Sequence, residues 1–186
     1  MIIRKATPED LEGICKVAEA VKLDYDNPQK YGFLVYGLNN EDYAQRITSS
    51  DYFYVALNGE GVVGFLMCYD DETLKDLMKS GKLDHEDMLT KRVSEQQGRY
   101  IFGDQIGVIP DRTLNGVGTS LMDTLFDDMK RAEIFDMYVG ILHEPAMNDA
   151  SKKFCEKLGF SHQESVRNSD NHLWGIYKLQ LSSSQH

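Results

Sequence analysis

The sequence predicts an α/β protein in which a mixed β-sheet is covered by helices. Two observations lead to this fold class: short apolar runs typical of strands alternate with segments of helical period, and no internal repeat interrupts the alternation. At 186 residues the chain suits one compact domain. We therefore predict a single domain over residues 1–181 and a frayed tail at 182–186.

Composition narrows the classes of function. The net charge of -10 disfavours nucleic acid as a partner, because binding to phosphates relies on Lys and Arg. No stretch approaches the roughly 20 apolar residues of a membrane span, and the N-terminal residues lack the pattern of a secretory signal. The 3 cysteines are widely spaced and fit neither a disulfide framework nor a zinc site. We expect a cytoplasmic protein with no metal, no nucleic-acid partner and no membrane partner.

The chain opens with a strand and a helix. The run "IIRKA" at 2–6 predicts the strand, and Thr7 as N-cap followed by Pro8 predicts the helix start. The residues expected to form the buried stripe of that helix are Leu11, Ile14, Cys15, Ala18 and Val21. Residues 24–40, rich in Tyr, Gly and Asn, then predict an aromatic loop before a short helix, "EDYAQRI".

A hairpin and a charged interval follow. The runs "DYFYVAL" and "VVGFLMCY", joined by the turn "NGEG", predict two paired strands. Residues 70–98 are charged, are broken at Gly81 and carry Leu74, Leu77 and Met78 at helical spacing, which predicts one or two short amphipathic helices. A solvated appendage is the favoured interpretation of this insertion, and a lid or a dimer contact is the alternative.

The second half continues the alternation. Residues 99–109 predict a strand in which Gly103 and Gly107 indicate a bulge or a close backbone approach. A helix from Gly116 to about Arg131 follows, with a predicted buried face of Val117, Leu121, Met122, Leu125 and Met129. Residues 135–142 predict another buried strand.

The last elements are a helix and two strands. Asn148 predicts the N-cap of a helix that ends at Gly159, and Ala150, Phe154 and Leu158 repeat every four residues as its expected core stripe. The runs "FSHQESV" and "HLWGIYKLQL" predict the final two strands.

The segment "NGVG" at 115–118 predicts a phosphate site at a strand-to-helix junction. Glycine has no Cβ, so an anion can approach the free N–H groups at the helix start, where the helix dipole adds about half a positive charge. The pattern is weak by itself, because a tight turn that packs a helix on a sheet explains it equally well. It is neither a P-loop nor a three-glycine dinucleotide fingerprint.

Two longer segments carry a family resemblance. The runs "VIPDRTLNGVGTSLM" and "NDASKKFCEKLGF" resemble two signature motifs of the GNAT acyltransferase superfamily, whose members use acetyl-CoA to acylate amines. The matching residues are Val108, Pro110, Gly116 and Gly118 in the first motif and Asn148, Phe154, Gly159 and Phe160 in the second. The opening "IIRKATPEDLEGI" and the closing "LWGIYKL" also look like the family's first and last strands. The resemblance covers nearly the whole chain except 24–40 and 70–98.

The resemblance implies the GNAT acyl-CoA N-acyltransferase fold, a central mixed sheet that is splayed between the strands at 99–109 and 135–142, with helices on both faces. The pantetheine of CoA would pair with the backbone around Ile106 and Val108, and the pyrophosphate would lie on the N–H groups of 114–119. The residues assigned to CoA in this way are Ile106, Val108, Arg112, Thr113, Leu114, Asn115, Gly116, Val117, Gly118, Thr119, Asn148 and Phe154. The family usually has Gln or Arg where this chain has Thr113, so we expect weakened binding.

The resemblance leaves the catalytic residues open. The family's tyrosine that protonates the departing CoA thiolate aligns with Cys155. A thiol with the ordinary pKa of about 8.5 could protonate a thiolate of similar basicity, and a packing role is the alternative. An acyl-cysteine route lacks a partner base. Asp104 and His143 are candidate bases for the amine, with structural roles as their alternatives, and a backbone N–H near Val108 would hold the oxyanion.

We therefore predict an N-acetyltransferase that moves an acetyl group from acetyl-CoA to a primary amine by direct transfer in a ternary complex. The acceptor is a small amine or a protein amino group, and dimers are frequent among relatives, so a homodimer is one expected form. The aromatic residues that would select the acceptor are Tyr31, Phe33, Tyr36, Trp174 and Tyr177, with core packing as the alternative, above all for the last two. The competing functions are an acyl-CoA sensor or structural protein with little catalysis, and an interaction module that works through 70–98.

Overall fold

The computed structural model describes residues 1–26, 32–59, 61–84, 87–110 and 115–182. The strands are β1 (Ile2–Lys5), β2 (Tyr52–Asn58), β3 (Gly61–Asp70), β4 (Tyr100–Val108), β5 (Asp136–Glu144), β6 (Ser161–Arg167) and β7 (Leu173–Gln180). The helices are a 3₁₀ turn at Pro8–Asp10, α1 (Leu11–Ala20), α2 (Asn40–Ser49), α3 (Asp71–Lys79), α4 (Met88–Ser94), α5 (Val117–Arg131) and α6 (Asp149–Lys157). This order agrees with the predicted alternation, and the interval 70–98 contains two short helices.

The strands form one sheet of 7 strands in the order β1-β2-β3-β4-β5-β7-β6. β4 and β5 run parallel, whereas β2 is antiparallel to both β1 and β3, and β7 is antiparallel to both β5 and β6. The parallel ladder covers residues 100–103 and 136–139, the first parts of β4 and β5. Helices flank this mostly antiparallel sheet, so the predicted α/β class with a mixed sheet is confirmed. No helix in the described ranges has the length and apolarity needed to cross a membrane.

The chain divides into two compact units. The first unit comprises Met1–Cys68 and Gln105–Asp128, and the second comprises Tyr69–Asp104 and Met129–His186. The division passes through β3 and β4, so each of these strands contributes to both units.

In the first unit, α1 packs a narrower stripe than its sequence predicts. The buried residues of α1 are Ile14, Val17 and Ala18, and its C-cap residue Val21 is buried as well. The prediction that Leu11 and Cys15 are buried is wrong, because both are half-buried. Successive residues of a helix are about 100° apart, so Cys15 lies at the edge of a stripe centred between Ile14 and Val17.

The predicted buried face of α5 is confirmed at every position. Its members, Val117, Leu121, Met122, Leu125 and Met129, are each at most 3% exposed. In the first unit the Tyr54 hydroxyl of β2 donates to Asp128 Oδ2 at 2.6 Å, which fixes α5 against the strands of that unit. The helix is therefore held both by its apolar face and by a short hydrogen bond.

Neighbouring side chains lie against β4 at Gly103 and Gly107. A Cβ at Gly107 would lie 2.9 Å from Phe65 Cε1 in the first unit. A Cβ at Gly103 would lie 2.8 Å from Met137 Cε in the second. These distances are shorter than side chains tolerate, so β4 requires small residues at both positions.

The insertion at 70–98 packs into the second unit. Its buried residues include Leu74 and Leu77 of α3 and Leu89 and Val93 of α4, all at most 7% exposed. The Leu89 side chain lies directly on the β5 backbone at Gly140 and leaves no room for a Cβ there. The interpretation as a solvated appendage is therefore wrong, because the apolar residues at helical spacing cover a sheet face.

Polar contacts also join the insertion to β6 and to the turn after it. The Asn168 amide donates to Asp87 Oδ1 at 2.8 Å, and the Met88 N–H donates back to Asn168 Oδ1 at 2.9 Å. Arg92 Nε lies 3.3 Å from Glu164 Oε2. The start of α4 is thereby held at the β6–β7 turn.

The helix α6 has no fully buried residue, so its predicted core stripe is wrong. Ala150, Phe154 and Leu158 are all half-buried. The helix has only 9 residues, and an apolar residue at every fourth position gives a stripe too narrow to bury. The N-cap prediction is confirmed, because Asn148 Oδ1 accepts the N–H of Ser151 at 3.3 Å.

Candidate active site

The start of α5 presents backbone N–H groups in the first unit. Gly116 has a φ of +85°, in the left-handed region that favours glycine, and its carbonyl accepts the N–H of Ser120 at 2.9 Å. The N–H groups of residues 117–119 precede this first helical hydrogen bond, and both Asn115 and Gly116 are exposed. The helix dipole favours negative charge at this end, so the turn has the chemistry of an anion site.

The rest of the predicted CoA-binding segment is described in part. Three residues of the predicted diphosphate loop lie outside the described residues: Arg112, Thr113 and Leu114. Along the end of β4, Ile106 and Val108 are half-buried, whereas the alternating residues Gln105 and Gly107 are buried. The side of the strand that carries Ile106 and Val108 is therefore the less covered one.

The aromatic loop of the first unit is fixed by a residue that sequence reasoning missed. Gln105 is 8% exposed; its Oε1 accepts the Tyr43 hydroxyl at 2.7 Å and its Nε2 donates to the Tyr36 carbonyl at 3.1 Å. The Tyr36 side chain stays 45% exposed, whereas Phe33 is buried and belongs to the core. Tyr31 lies outside the described residues. A buried glutamine in a strand has no sequence signal, because alternation alone gives the same pattern for a solvated one.

Asp104 belongs to the second unit. Its Oδ2 accepts the hydroxyl of Tyr69 at 2.9 Å, and Tyr69 is fully buried. The oxygen of Asp104 that accepts this hydrogen bond is already engaged by a buried phenol.

Three rings from three strands meet in the second unit, and we call His143, His162 and Tyr177 the ring cluster. His143 Nε2 lies 3.2 Å from the Tyr177 hydroxyl, and their ring centroids are 5.9 Å apart. The His162 ring lies 5.6 Å from His143, tilted by 31°, and 5.2 Å from Tyr177. Tyr177 is 2% exposed and Trp174 is 8% exposed, in agreement with core packing of both.

The ring cluster keeps His143 in its unprotonated form at neutral pH. Burial lowers the pKa of the His143 imidazole below its usual 6.5, and Coulombic interactions with His162 and then Lys152 lower it further, against a smaller opposing effect of Glu144. A half-buried imidazole that is neutral at pH 7 carries a lone pair that can accept a proton.

Cys155 has the opposite character. The thiol is half-buried on α6; burial, and then the negative charge of Glu156, raise its pKa to about 12. At pH 7 only about one such thiol in 10⁵ is a thiolate. The same burial that protects the thiol makes it a poor proton donor and a poor nucleophile.

The remaining predicted residues, Asn148 and Phe154, lie at the start and the middle of α6. Asn148 is 6% exposed, and its N–H donates to the Leu142 carbonyl of β5 at 3.0 Å. This contact and the N-cap fix α6 to the end of β5. Phe154 is half-buried. In the described ranges, no three or more His, Cys, Asp or Glu side chains are arranged to hold a metal ion.

Sequence reasoning selected His143 but missed its partners. His162 and Tyr177 meet because they are direct partners in the β6–β7 ladder, and the register of that ladder shifts between His162 and Glu164. Neither the pairing nor the register shift can be predicted from the local sequence, so the sequence does not indicate that the three rings lie together.

These features define a class of protein. A mixed sheet with a glycine-started helix after β4 and an asparagine-capped helix after β5 is the architecture of acyl-CoA N-acyltransferases. A model of the Acetyltransferase (GNAT) family matches residues 18–160, and the chain belongs to that family. No curated protein sequence is a significant match.

Solved structures of similar fold agree with this assignment. Ard1 from Thermoplasma volcanium is 16% identical, with 97% of each chain covered and a TM-score of 0.66. Naa20 of Chaetomium thermophilum, solved with a bisubstrate analogue, is 15% identical over 98% of this chain and 88% of its own, with a TM-score of 0.68. A PaiA N-acetyltransferase from Thermoplasma acidophilum, in complex with coenzyme A, is 16% identical over 96% of this chain and 98% of its own, with a TM-score of 0.63.

Proposed function

We propose that the protein is an N-acetyltransferase that moves an acetyl group from acetyl-CoA to a primary amine. The observation that carries the proposal is the GNAT family match over residues 18–160, which spans both α5 with its glycine turn and the whole of α6. In support, similar folds have been solved with coenzyme A and with bisubstrate analogues. The reaction takes place in the cytoplasm.

CoA binds through the backbone of the first unit. The N–H groups at the start of α5, together with residues 112–114, hold the diphosphate, and the backbone of Ile106 and Val108 pairs with the pantetheine. This mode of binding depends on exposed backbone groups and on the positive φ of Gly116, both of which suit an anion. Thr113 in place of the family's Gln or Arg removes one side-chain donor, so binding is moderate.

His143 is the general base for the amine. Its pKa is lowered, so the imidazole is unprotonated at neutral pH and accepts a proton as the amine attacks the thioester carbonyl. Asp104 is the competing candidate, but its carboxylate already accepts the Tyr69 hydroxyl. As the C–N bond forms and the C–S bond breaks, the amine proton passes to His143 and CoA leaves as a thiolate.

The transfer is direct, without an acyl-cysteine intermediate. Cys155 would have to lose a proton with a pKa of about 12 before it could attack, and no base is placed against it in the described contacts. The same thiol is too weak an acid to protonate a CoA thiolate of pKa about 8.5, because that step would cost about 5 kcal/mol. Cys155 therefore has a packing role. The CoA thiolate leaves unprotonated or takes its proton from water.

The acceptor is a primary amine of a small molecule or of a protein. Solved proteins of similar fold include an agmatine N-acetyltransferase and a ribosomal-protein-S18-alanine N-acetyltransferase, which represent the two kinds. Tyr36 is a candidate for acceptor selection, because its side chain is 45% exposed on a loop that Gln105 holds to β4.

The test is the release of free CoA thiol from acetyl-CoA over a panel of small amines and peptide N-termini. We expect amine-dependent release by the wild type. We expect His143→Gln to lower kcat by about 10²- to 10⁴-fold, the usual contribution of a general base, with unchanged thermal stabilisation by CoA. Asp104→Asn is the variant to compare with His143→Gln. A larger loss of kcat in Asp104→Asn would identify Asp104 as the general base.

Two outcomes would overturn the proposal. Thermal stabilisation by CoA without amine-dependent release would indicate an acyl-CoA sensor. No stabilisation by CoA or acetyl-CoA at any concentration tested would favour an interaction module instead.

A further inference from the structure

The environment of His143 is built by its neighbours on β6 and β7. At Gly175 a Cβ would overlap His143 Cε1 and Nε2 and would come within 2.9 Å of Tyr177 Cε2. The tip of the imidazole therefore lies directly on the β7 backbone, in space that only glycine leaves open. The ring is confined on this side by the strand and on another by the Tyr177 ring.

The hydrogen bond to Tyr177 separates the two nitrogens of His143. Nε2 is the nitrogen that faces inward, 3.2 Å from the Tyr177 hydroxyl. A neutral imidazole carries one proton and one lone pair, so whichever nitrogen donates leaves the other free to accept. If Nε2–H donates to the Tyr177 oxygen, the basic lone pair lies on Nδ1, at the opposite edge of the ring.

We propose that Tyr177 and His162 are positioning residues for His143. Tyr177 accepts the Nε2–H of His143 and thereby keeps the basic lone pair on Nδ1, while the adjacent His162 ring, 5.6 Å away, opposes protonation of its neighbour. The proposal deepens the N-acetyltransferase function proposed above and relies on His143 as the base of that reaction.

The two partners act on the proton in opposite directions. When Nδ1 takes the amine proton, the Nε2–H···O bond becomes charge-assisted and strengthens, so Tyr177 stabilises the imidazolium. His162 carries positive charge when protonated and destabilises the same imidazolium. The catalytic base is thus set between a hydrogen-bond acceptor and a like charge.

Other charged groups face the ring cluster from α6 and from β5. Lys152 of α6 acts on His143 in the same direction as His162, and Glu144 of β5 acts against them. Glu156 and Cys155 of α6 act on Tyr177: burial first, and then these two groups, raise the pKa of the phenol, which keeps it neutral. The variants below leave all four of these groups in place.

The experiment combines nitrogen NMR with pH profiles on the full chain. The ¹⁵N shifts of His143 report which nitrogen carries the proton, whether or not the protein is turning over. Tyr177→Phe removes only the hydroxyl, and His162→Gln replaces the imidazole by a neutral amide that cannot be protonated. The controls are Tyr138→Phe, a hydroxyl on β5 that lies 3.3 Å from Gln96, and His172→Gln, an imidazole 2.5 Å from Asp170.

We expect the wild-type ¹⁵N shifts to show a single Nε2–H tautomer, and Tyr177→Phe to move them toward a tautomer average. In Tyr177→Phe we expect kcat to fall about tenfold, the value of one charge-assisted hydrogen bond, with KM for acetyl-CoA unchanged. The rate falls as pH falls through the pKa of His143, which gives the pH profile an acid limb. This limb moves to lower pH in Tyr177→Phe, because the imidazolium loses its hydrogen-bond acceptor, and to higher pH in His162→Gln, because it loses a like charge. We expect the two control variants to leave the ¹⁵N shifts of His143 and the acid limb of the pH profile unchanged.

The decisive result is that the acid limb of the pH profile moves in opposite directions in Tyr177→Phe and His162→Gln. Limbs that move in the same direction, or a Tyr177→Phe variant that behaves like Tyr138→Phe, would overturn the proposal. If the wild type shows no acetyl transfer, the proposed function fails while the NMR measurement still decides this inference, because a wild-type His143 with averaged tautomers overturns it without any assay.

Discussion

The two proposed functional regions differ in the groups that form them. In the first unit, the proposed CoA-binding end consists of backbone N–H donors at the start of α5, next to the left-handed Gly116. In the second unit, the proposed transfer end consists of side chains, where His143, His162 and Tyr177 meet from three strands. A diphosphate is recognised by almost any array of N–H groups, whereas a base must have one particular side chain in one particular protonation state.

This difference explains how the two regions tolerate change. We expect the α5 turn to keep its donors although this chain has Thr113 where the family usually has Gln or Arg, because the donors at the start of α5 are backbone N–H groups. The ring cluster has no such freedom, since Gly175 gives the imidazole its space and Tyr177 its hydrogen-bond partner. We expect substitutions at the first region to act on CoA binding and substitutions at the second to act on the rate of transfer.

The largest effect we predict beyond His143 itself concerns the support of the transfer end. Leu89→Ala should lower the free energy of unfolding by about 2–5 kcal/mol, because the side chain is 7% exposed and packs directly on β5. Urea unfolding measures the loss. Met88→Ala, one residue earlier and 37% exposed, is the matched control and should change stability by about 0.5 kcal/mol or less. Equal losses in the two variants would mean that α4 does not support β5.

A smaller effect is expected at the CoA-binding end. Gly116→Ala forces a side chain into φ +85° at a cost of about 1–2 kcal/mol, so CoA binding should weaken about tenfold by calorimetry. Pantetheine, which lacks the diphosphate, should bind Gly116→Ala and wild type alike. Gly37→Ala is the control, since that position is exposed and has no neighbour within 4 Å. An equal loss for pantetheine would show that the turn does not hold the diphosphate.

The sequence was sufficient to predict features that depend on the spacing of nearby residues. The alternation of strands and helices, the buried face of α5 and the cap at Asn148 each depend on residues within a few positions of one another, and each was predicted correctly. The glycine turn belongs to the same group, because Gly116 has to be glycine for a backbone reason that leaves a trace in the sequence.

The sequence was insufficient where contacts join distant segments. The pairing of His162 with Tyr177 requires the β6–β7 register, the bond from Gln105 to Tyr36 requires a loop to reach β4, and the packing of Leu89 requires β5 beneath it. For α6 the reason is different: its apolar spacing was read correctly, but a short helix at this place is only half covered.

The smallest effect we predict is at Cys155, and it tests whether the thiol belongs to the transfer end at all. Cys155→Ala should keep kcat within about twofold of wild type, because a thiol of pKa about 12 neither attacks a thioester nor protonates a thiolate near neutral pH. For the same reason alkylation of Cys155 at pH 8 should be far slower than that of a free thiol. Cys15→Ala, a half-buried thiol in the first unit, is the control. A loss of more than tenfold in Cys155→Ala alone would return the thiol to the mechanism and would make His143 one of two proton-transfer groups.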